Sequence, residues 1–205
     1  MSSIKLESNA SGTGVFTIAS PNSNTNRTLS IPDGTGSIVV NGVNSSLVSG
    51  TAVASTSGTS IDFTGIPSWV KRITINFSGV STNGTNIPLL QIGDSGGVET
   101  SGYLGSGSSV FNGSTTSAVL QTTGFGIGGG MGATVIFHGA IQITLLDATA
   151  NTWCANGVLG RSDAACAFNC GGAKSLSATL DRVRITTVGG TDTFDAGTIN
   201  ILYEG

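Results

Sequence analysis

Ser95 lies in the run Gly93-Asp94-Ser95-Gly96-Gly97, a serine between small residues that could act as a nucleophile. Acyl transfer would require a histidine to take its proton and a buried carboxylate to orient that histidine. The chain has one histidine, His138. Asp94-Ser95-Gly96-Gly97 is therefore read as a turn closing the Leu89-Leu90-Gln91-Ile92 strand. Gly124-Phe125-Gly126-Ile127-Gly128-Gly129 fits a G-x-G-x-x-G phosphate-binding spacing, but such a site needs the glycines to open a helix. Met131-Gly132-Ala133 and a strand pattern follow instead, so the run reads as a bend, a bulge or a close backbone approach at a symmetry axis that only glycine permits.

The pentapeptide around Ser95 resembles the string that surrounds the nucleophile of chymotrypsin-like serine proteases. In that family base and orienting acid both precede the serine, whereas His138 follows it. Three cysteines, Cys154, Cys166 and Cys170, are the other reactive candidates. A three-residue turn at Arg161-Ser162-Asp163 would set Cys154 opposite Cys170, with Cys166, Phe168 and Cys170 on one face. Together with His138 these thiols have the chemistry of zinc ligands. Cys166 and Cys170, however, would lie about 13 Å apart along one strand. The expectation is reduced thiols packed as small apolar groups, no metal and no cofactor.

Glycoside hydrolysis needs two carboxyls flanking one bond. Asp62, Asp94, Glu99, Asp147, Asp163, Asp181, Asp192 and Asp195 form no close pair on one alternating strand, so no catalytic residue is assigned. Aromatic side chains could instead stack on the apolar face of a sugar. Tyr103, beside Gly102 and the Gly105-Ser106-Gly107 stretch, and Trp153, beside Asn151, are the candidate ligand-binding residues. The competing reading of each is a packed core aromatic, which is also the reading of Trp69.

The elements that must hold these residues read as strands. Ile73, Ile75 and Phe77 alternate with Arg72, Thr74 and Asn76, a period of two that predicts a half-buried strand over 69–78. A Gly65-Ile66-Pro67-Ser68 corner precedes it, and Ile61 and Phe63 mark a shorter strand before the corner. Further alternating runs, at 52–55, 87–93, 98–104, 117–122, 133–138, 140–147, 152–159, 164–170, 175–178, 182–188 and 197–203, predict an antiparallel β-sandwich or jelly roll over residues 51–205. No long run has a period of 3.6, so an all-β fold is expected.

Composition sharpens this. Only 9% of the 205 residues are charged, against about a quarter in an average globular protein. Hydrophobic residues make up 38%, and 32 residues are glycine. A net charge of -3 with scattered Lys and Arg gives no footprint for nucleic acid. Phe125 to Leu146, the most apolar stretch, is broken by His138, Gln142 and several glycines, so no membrane insertion is expected. The N-terminal MSSIKLESNASG has charges at Lys5 and Glu7 and no apolar core, which predicts no signal peptide. So little charge on an apolar chain predicts that copies cover one another.

Two stretches carry a family resemblance. SGTSIDFTGIPSWVKRITINFSGVSTNG resembles a segment of tail-fibre and related virion proteins of tailed bacteriophages. The similarity is close over residues 49 to about 104 and looser to the C-terminus. Gly12 to Val40, with its strand, Pro-Asn loop, Arg-Thr-Leu strand and Pro-Asp-Gly-Thr-Gly turn, is similar to a module repeated across phage fibres and tailspikes. The resemblance implies a non-enzymatic virion protein: a homotrimeric tail fibre that attaches to other virion structural proteins through an extended arm, residues 1–45, and binds a host cell-surface glycan through the 51–205 domain. A capsid decoration or head-fibre protein is the alternative, and a polysaccharide-depolymerising tailspike a distant one. Localisation would be the virion, assembled in the host cytoplasm.

Overall fold

The computed structural model describes residues 11–13, 15, 17, 22, 24–26, 47–112, 116–129 and 131–205. The chain divides into two units, residues 1–38 and 39–205, and the second holds all the strands described below. The strands read in the 1–45 arm fall outside the described residues.

Among the described residues the fold is all-β. In chain order the strands are β1 (Leu47–Ser49), β2 (Val53–Ala54), β3 (Ile61–Thr64), β4 (Arg72–Thr82), β5 (Pro88–Asp94), β6 (Gly97–Val98) and β7 (Leu104–Phe111). There follow β8 (Thr116–Gln121), β9 (Phe125–Gly126), β10 (Phe137–Asp147), β11 (Thr152–Arg161), β12 (Cys166–Ser175), β13 (Arg182–Thr187) and β14 (Phe194–Glu204). One turn of 3-10 helix, Val188–Gly190, links β13 to β14.

They form two antiparallel sheets. The larger runs β1-β14-β4-β10-β11-β12-β7-β8, with β2 also on β14; the smaller runs β3-β13-β5-β6, with β9 also on β5. Alternation explains the split between inside and outside. Ile73, Ile75 and Phe77 of β4, Phe137, Ile141 and Ile143 of β10, and Trp153 and Leu159 of β11 point into one core. Ile61, Leu90, Ile92, Val183 and Ile185 meet them from the smaller sheet. Phe77 and Phe137 pack at 5.7 Å, and Tyr103 meets Phe125 edge-on at 5.0 Å.

The corner at Pro67 hands the chain from β3 in the smaller sheet to β4 in the larger. The Val70 N–H donates to the Pro67 carbonyl, so Trp69 and Val70 belong to the turn and the strand begins at Arg72, later than the sequence pattern predicts. Ile66 and Val70 plug the corner, and Trp69 packs on Tyr203 at 6.0 Å.

Other boundaries move for a reason visible in the packing. The expected strand 98–104 is instead β7, whose sequence LGSGSSVF reads as a loop. Gly105 and Gly107 face inward, Gly105 against the backbone of β12 and Gly107 under the chain at and just after β9. A Cβ on Gly107 would stand 2.4 Å from the Gly126 carbonyl oxygen and 2.6 Å from that of Gly128. The Ile127 N–H donates to the Pro88 carbonyl, the Gly129 N–H to Ser109 Oγ and Ser117 Oγ to the Gly129 carbonyl, which fix this crossing on both sides. The close approach read for Gly124–Gly129 is thus made within one chain, against Gly107, and not at a symmetry axis. A turn and then β10 follow the run.

Gly107→Val should therefore lower stability by about 1–3 kcal/mol, the usual range for overpacking. Gly160→Val, in a position with nothing within 4 Å of its Cβ, should be neutral by comparison. Urea unfolding of the two variants checks the difference.

Candidate functional site

The structure accounts for each reactive candidate. Ser95 and Gly96 form the two-residue turn between β5 and β6, with the Gly96 N–H donating to Asp94 Oδ1 at 2.8 Å. His138 is committed elsewhere: Nδ1 accepts from the Gly79 N–H at 3.0 Å, and Nε2 lies 3.0 Å from Ser162 Oγ.

Cys154, Cys166 and Cys170 are free thiols, half buried. Cys154 does not face Cys170. The connection from β11 to β12 spans Ser162–Ala165, longer than three residues, because Asp163 is held by the Arg161 guanidinium and the Ile136 N–H. Cys170 consequently pairs with Gly157 and Cys154 with Ala173. Cys166, Phe168 and Cys170 do share the inner face, and burial pushes the Cys170 thiol up to about 11.

The acids are also engaged. Asp62 pairs with Arg184, Asp181 with Arg182 and Asp163 with Arg161. Asp192 accepts from the Asn86 backbone at 2.8 Å and its side-chain amide at 2.6 Å, Asp195 from Ser81, and Asp147 from the Thr149 N–H. Ser177 bridges two more, its hydroxyl donating to Asp94 and its N–H to Glu99. The Ser177 hydroxyl, with the Gly96 N–H, holds Asp94 below the ordinary carboxylate range. Burial alone would raise Glu99, but Lys174 and Ser177 outweigh it and hold it low.

Tyr103 is 0% exposed and Trp153 3%, so both rings pack inside; Trp153 also lines a small cavity of about 90 Å³ with Lys71, Asn151 and Thr179. Both are core aromatics, the competing reading given for them above. Tyr103 Oη receives the Ile92 N–H at 2.8 Å and donates to the Glu99 carbonyl at 2.9 Å, an arrangement that needs the ring inside. Burial raises its pKa well above the usual phenol value. Lys174, itself buried, lies over that ring at 5.7 Å and pairs with Glu99. Sequence proximity to glycines suggested exposure for Tyr103; Gly105 instead packs against β12 and Gly107 against the chain around β9.

What remains is the outer face of the larger sheet, which sequence reasoning did not single out. Strand register aligns its outward side chains in rows. One row runs Thr74, Gln142, Asn156, Gly171, Ser106 and Leu120; the next runs Asn76, Ala140, Val158, Asn169, Ser108 and Ala118. A third runs Leu47, Glu204, Arg72, Thr144, Cys154, Ala173 and Leu104. Arg72 and Glu204, which pair with each other, are the only charged residues in these rows. Large apolar side chains stand out from the same face: Leu104 is 75% exposed, Leu120 76%, Val158 60% and Leu47 53%. A hollow lined by Leu47, Lys71, Arg72, Thr144, Leu145 and Glu204 opens at one margin. Between the margins, Thr74, Gln142, Asn156 and Asn169 line a shallow depression.

The signal for this face was present in β7, where Leu104, Ser106, Ser108 and Val110 alternate with Gly105 and Gly107. The larger side chains point outward there, the reverse of an ordinary half-buried strand. In comparisons with known proteins, the chain matches no family description, no curated protein and no solved structure.

The Arg161 hydrogen bond holds the Asp163 carboxyl down to about 2, from an ordinary 3.8. A depressed folded-state pKa stabilises above the unfolded value and is lost as pH falls through the folded one. Unfolding midpoints should therefore fall between about pH 4 and pH 2, and Asp163→Asn should remove part of that dependence. Chemical denaturation across this range, wild type against variant, checks it.

Proposed function

We propose that the chain is a structural, non-enzymatic protein of a tailed-bacteriophage virion, a tail fibre that works as a homotrimer. Residues 1–45 attach it to other virion proteins, and its β domain meets a glycan of the host surface. The observation that carries the reading is the wide, nearly charge-free outer face with its projecting leucines. Soluble proteins that act alone rarely leave such a face open, whereas a subunit of a permanent assembly covers it.

Two further features support it. The acids and the histidine considered for catalysis are each tied to a local structural partner. The residues that resemble fibre proteins, Ile61 to Phe77, build the Pro67 corner that links the two sheets. With Tyr103 and Trp153 in the core, glycan contact passes to exposed hydroxyl and amide side chains in loops, such as Thr56, Ser57, Thr59 and Asn83. Shallow contacts of this kind gain strength from several linked sites.

Immunogold labelling of intact particles tests the proposal. Label at the tail is the expected result. Label over the whole capsid would replace it with a decoration protein.

A further inference from the structure

The outer face is not uniform. Its projecting leucines, Leu104 and Leu120, belong to the β7–β8 margin, where they are diagonal neighbours across the strand pair. The hollow lined by Leu47, Lys71, Arg72, Thr144, Leu145 and Glu204 lies toward the opposite side, across the ends of β1, β14, β4 and β10, and measures about 550 Å³. Amides occupy much of the middle.

From this division we infer that the face joins copies of this chain head to tail, the Leu104 and Leu120 side chains of one copy seated in the Leu47 hollow of the next. The inference deepens the assembly reading above and rests on it for the number of copies. Its occupant is a second copy of the same chain because the two margins complement each other. One offers protruding leucines, the other a recess bordered by Leu47 and Leu145, in which Arg72 and Glu204 pair with each other and Lys71 is the third charged residue.

A face-to-face pair would set amide against amide in the middle and leave the recess without an apolar guest, so the arrangement favours a heterologous contact. Leu104 and Leu47 stand at opposite ends of one registered row. A contact joining the two ends of a row need not step along the strands, so copies related by a rotation that closes form a ring rather than a filament.

Paired cysteine substitutions test this in the full-length chain. Leu47→Cys with Leu104→Cys should cross-link under mild oxidation into a ladder that stops at a closed species. Each single variant should cross-link no more than the wild type with its three native thiols. Leu104→Lys with Leu120→Lys should reduce the native mass to that of the 20.4 kDa monomer while circular dichroism stays unchanged. Strong cross-linking of a single variant would show a two-fold contact and overturn the inference, as would an oligomer unaffected by the lysines or a wild type that is monomeric at micromolar concentration. Label at the tail without the ladder removes this contact and keeps the fibre; the ladder with label on the capsid keeps the contact and removes the fibre.

Discussion

The crossing of β9 over β7 is the interaction on which the arrangement of the two sheets depends. β9 belongs to the smaller sheet through β5, yet its carbonyls lie where Cβ atoms of β7 would stand. Only glycine at Gly107 allows that distance, and a carbonyl so close to the sheet must itself be paired, as the Ser109 and Ser117 bonds to Gly129 arrange nearby. Over Gly107 the core is filled by backbone, and around it by Tyr103, Phe125, Ile127 and Phe168 from neighbouring elements. The inner side of β7 is therefore small, and its larger side chains, Leu104 and Val110, are outside.

Charge is equally sparse. The few ionic groups fix loops and strand ends: Asp163 to Arg161, Asp62 to Arg184, and the buried Lys174 to Glu99 beside Tyr103. A buried pair of this kind contributes by fixing one geometry more than by net stability. Little charge is then left to solvate the broad outer face. Its exposed amides and hydroxyls keep it wettable, while the leucines concentrate the apolar surface at one margin.

Much of the fold was legible where large apolar residues alternate. Ile73, Ile75 and Phe77 announce β4, and the Pro67 corner announces the change of direction. β7 and the end of β12 were hidden, because Gly105, Gly107, Gly171 and Gly172 erase the alternation at the positions where strands approach most closely. The cysteine register failed on the length of one turn, which Asp163 sets through contacts far apart in sequence. Tyr103 does follow a loop glycine, Gly102, but its ring turns inward, where Oη bonds the backbone of Ile92 and Glu99. The outer face itself is a property of register across many strands, and strand order does not follow from local pattern.

The central claim is that this face is covered in the working protein. Hydroxyl-radical footprinting of full-length protein measures that directly at Leu104, Leu120 and Val158, which are more than half exposed in a single chain. Oxidation of Leu104 and Leu120 as slow as that of core residues such as Ile141 is the result the account predicts. Oxidation at the rate of freely exposed leucine in both would contradict it.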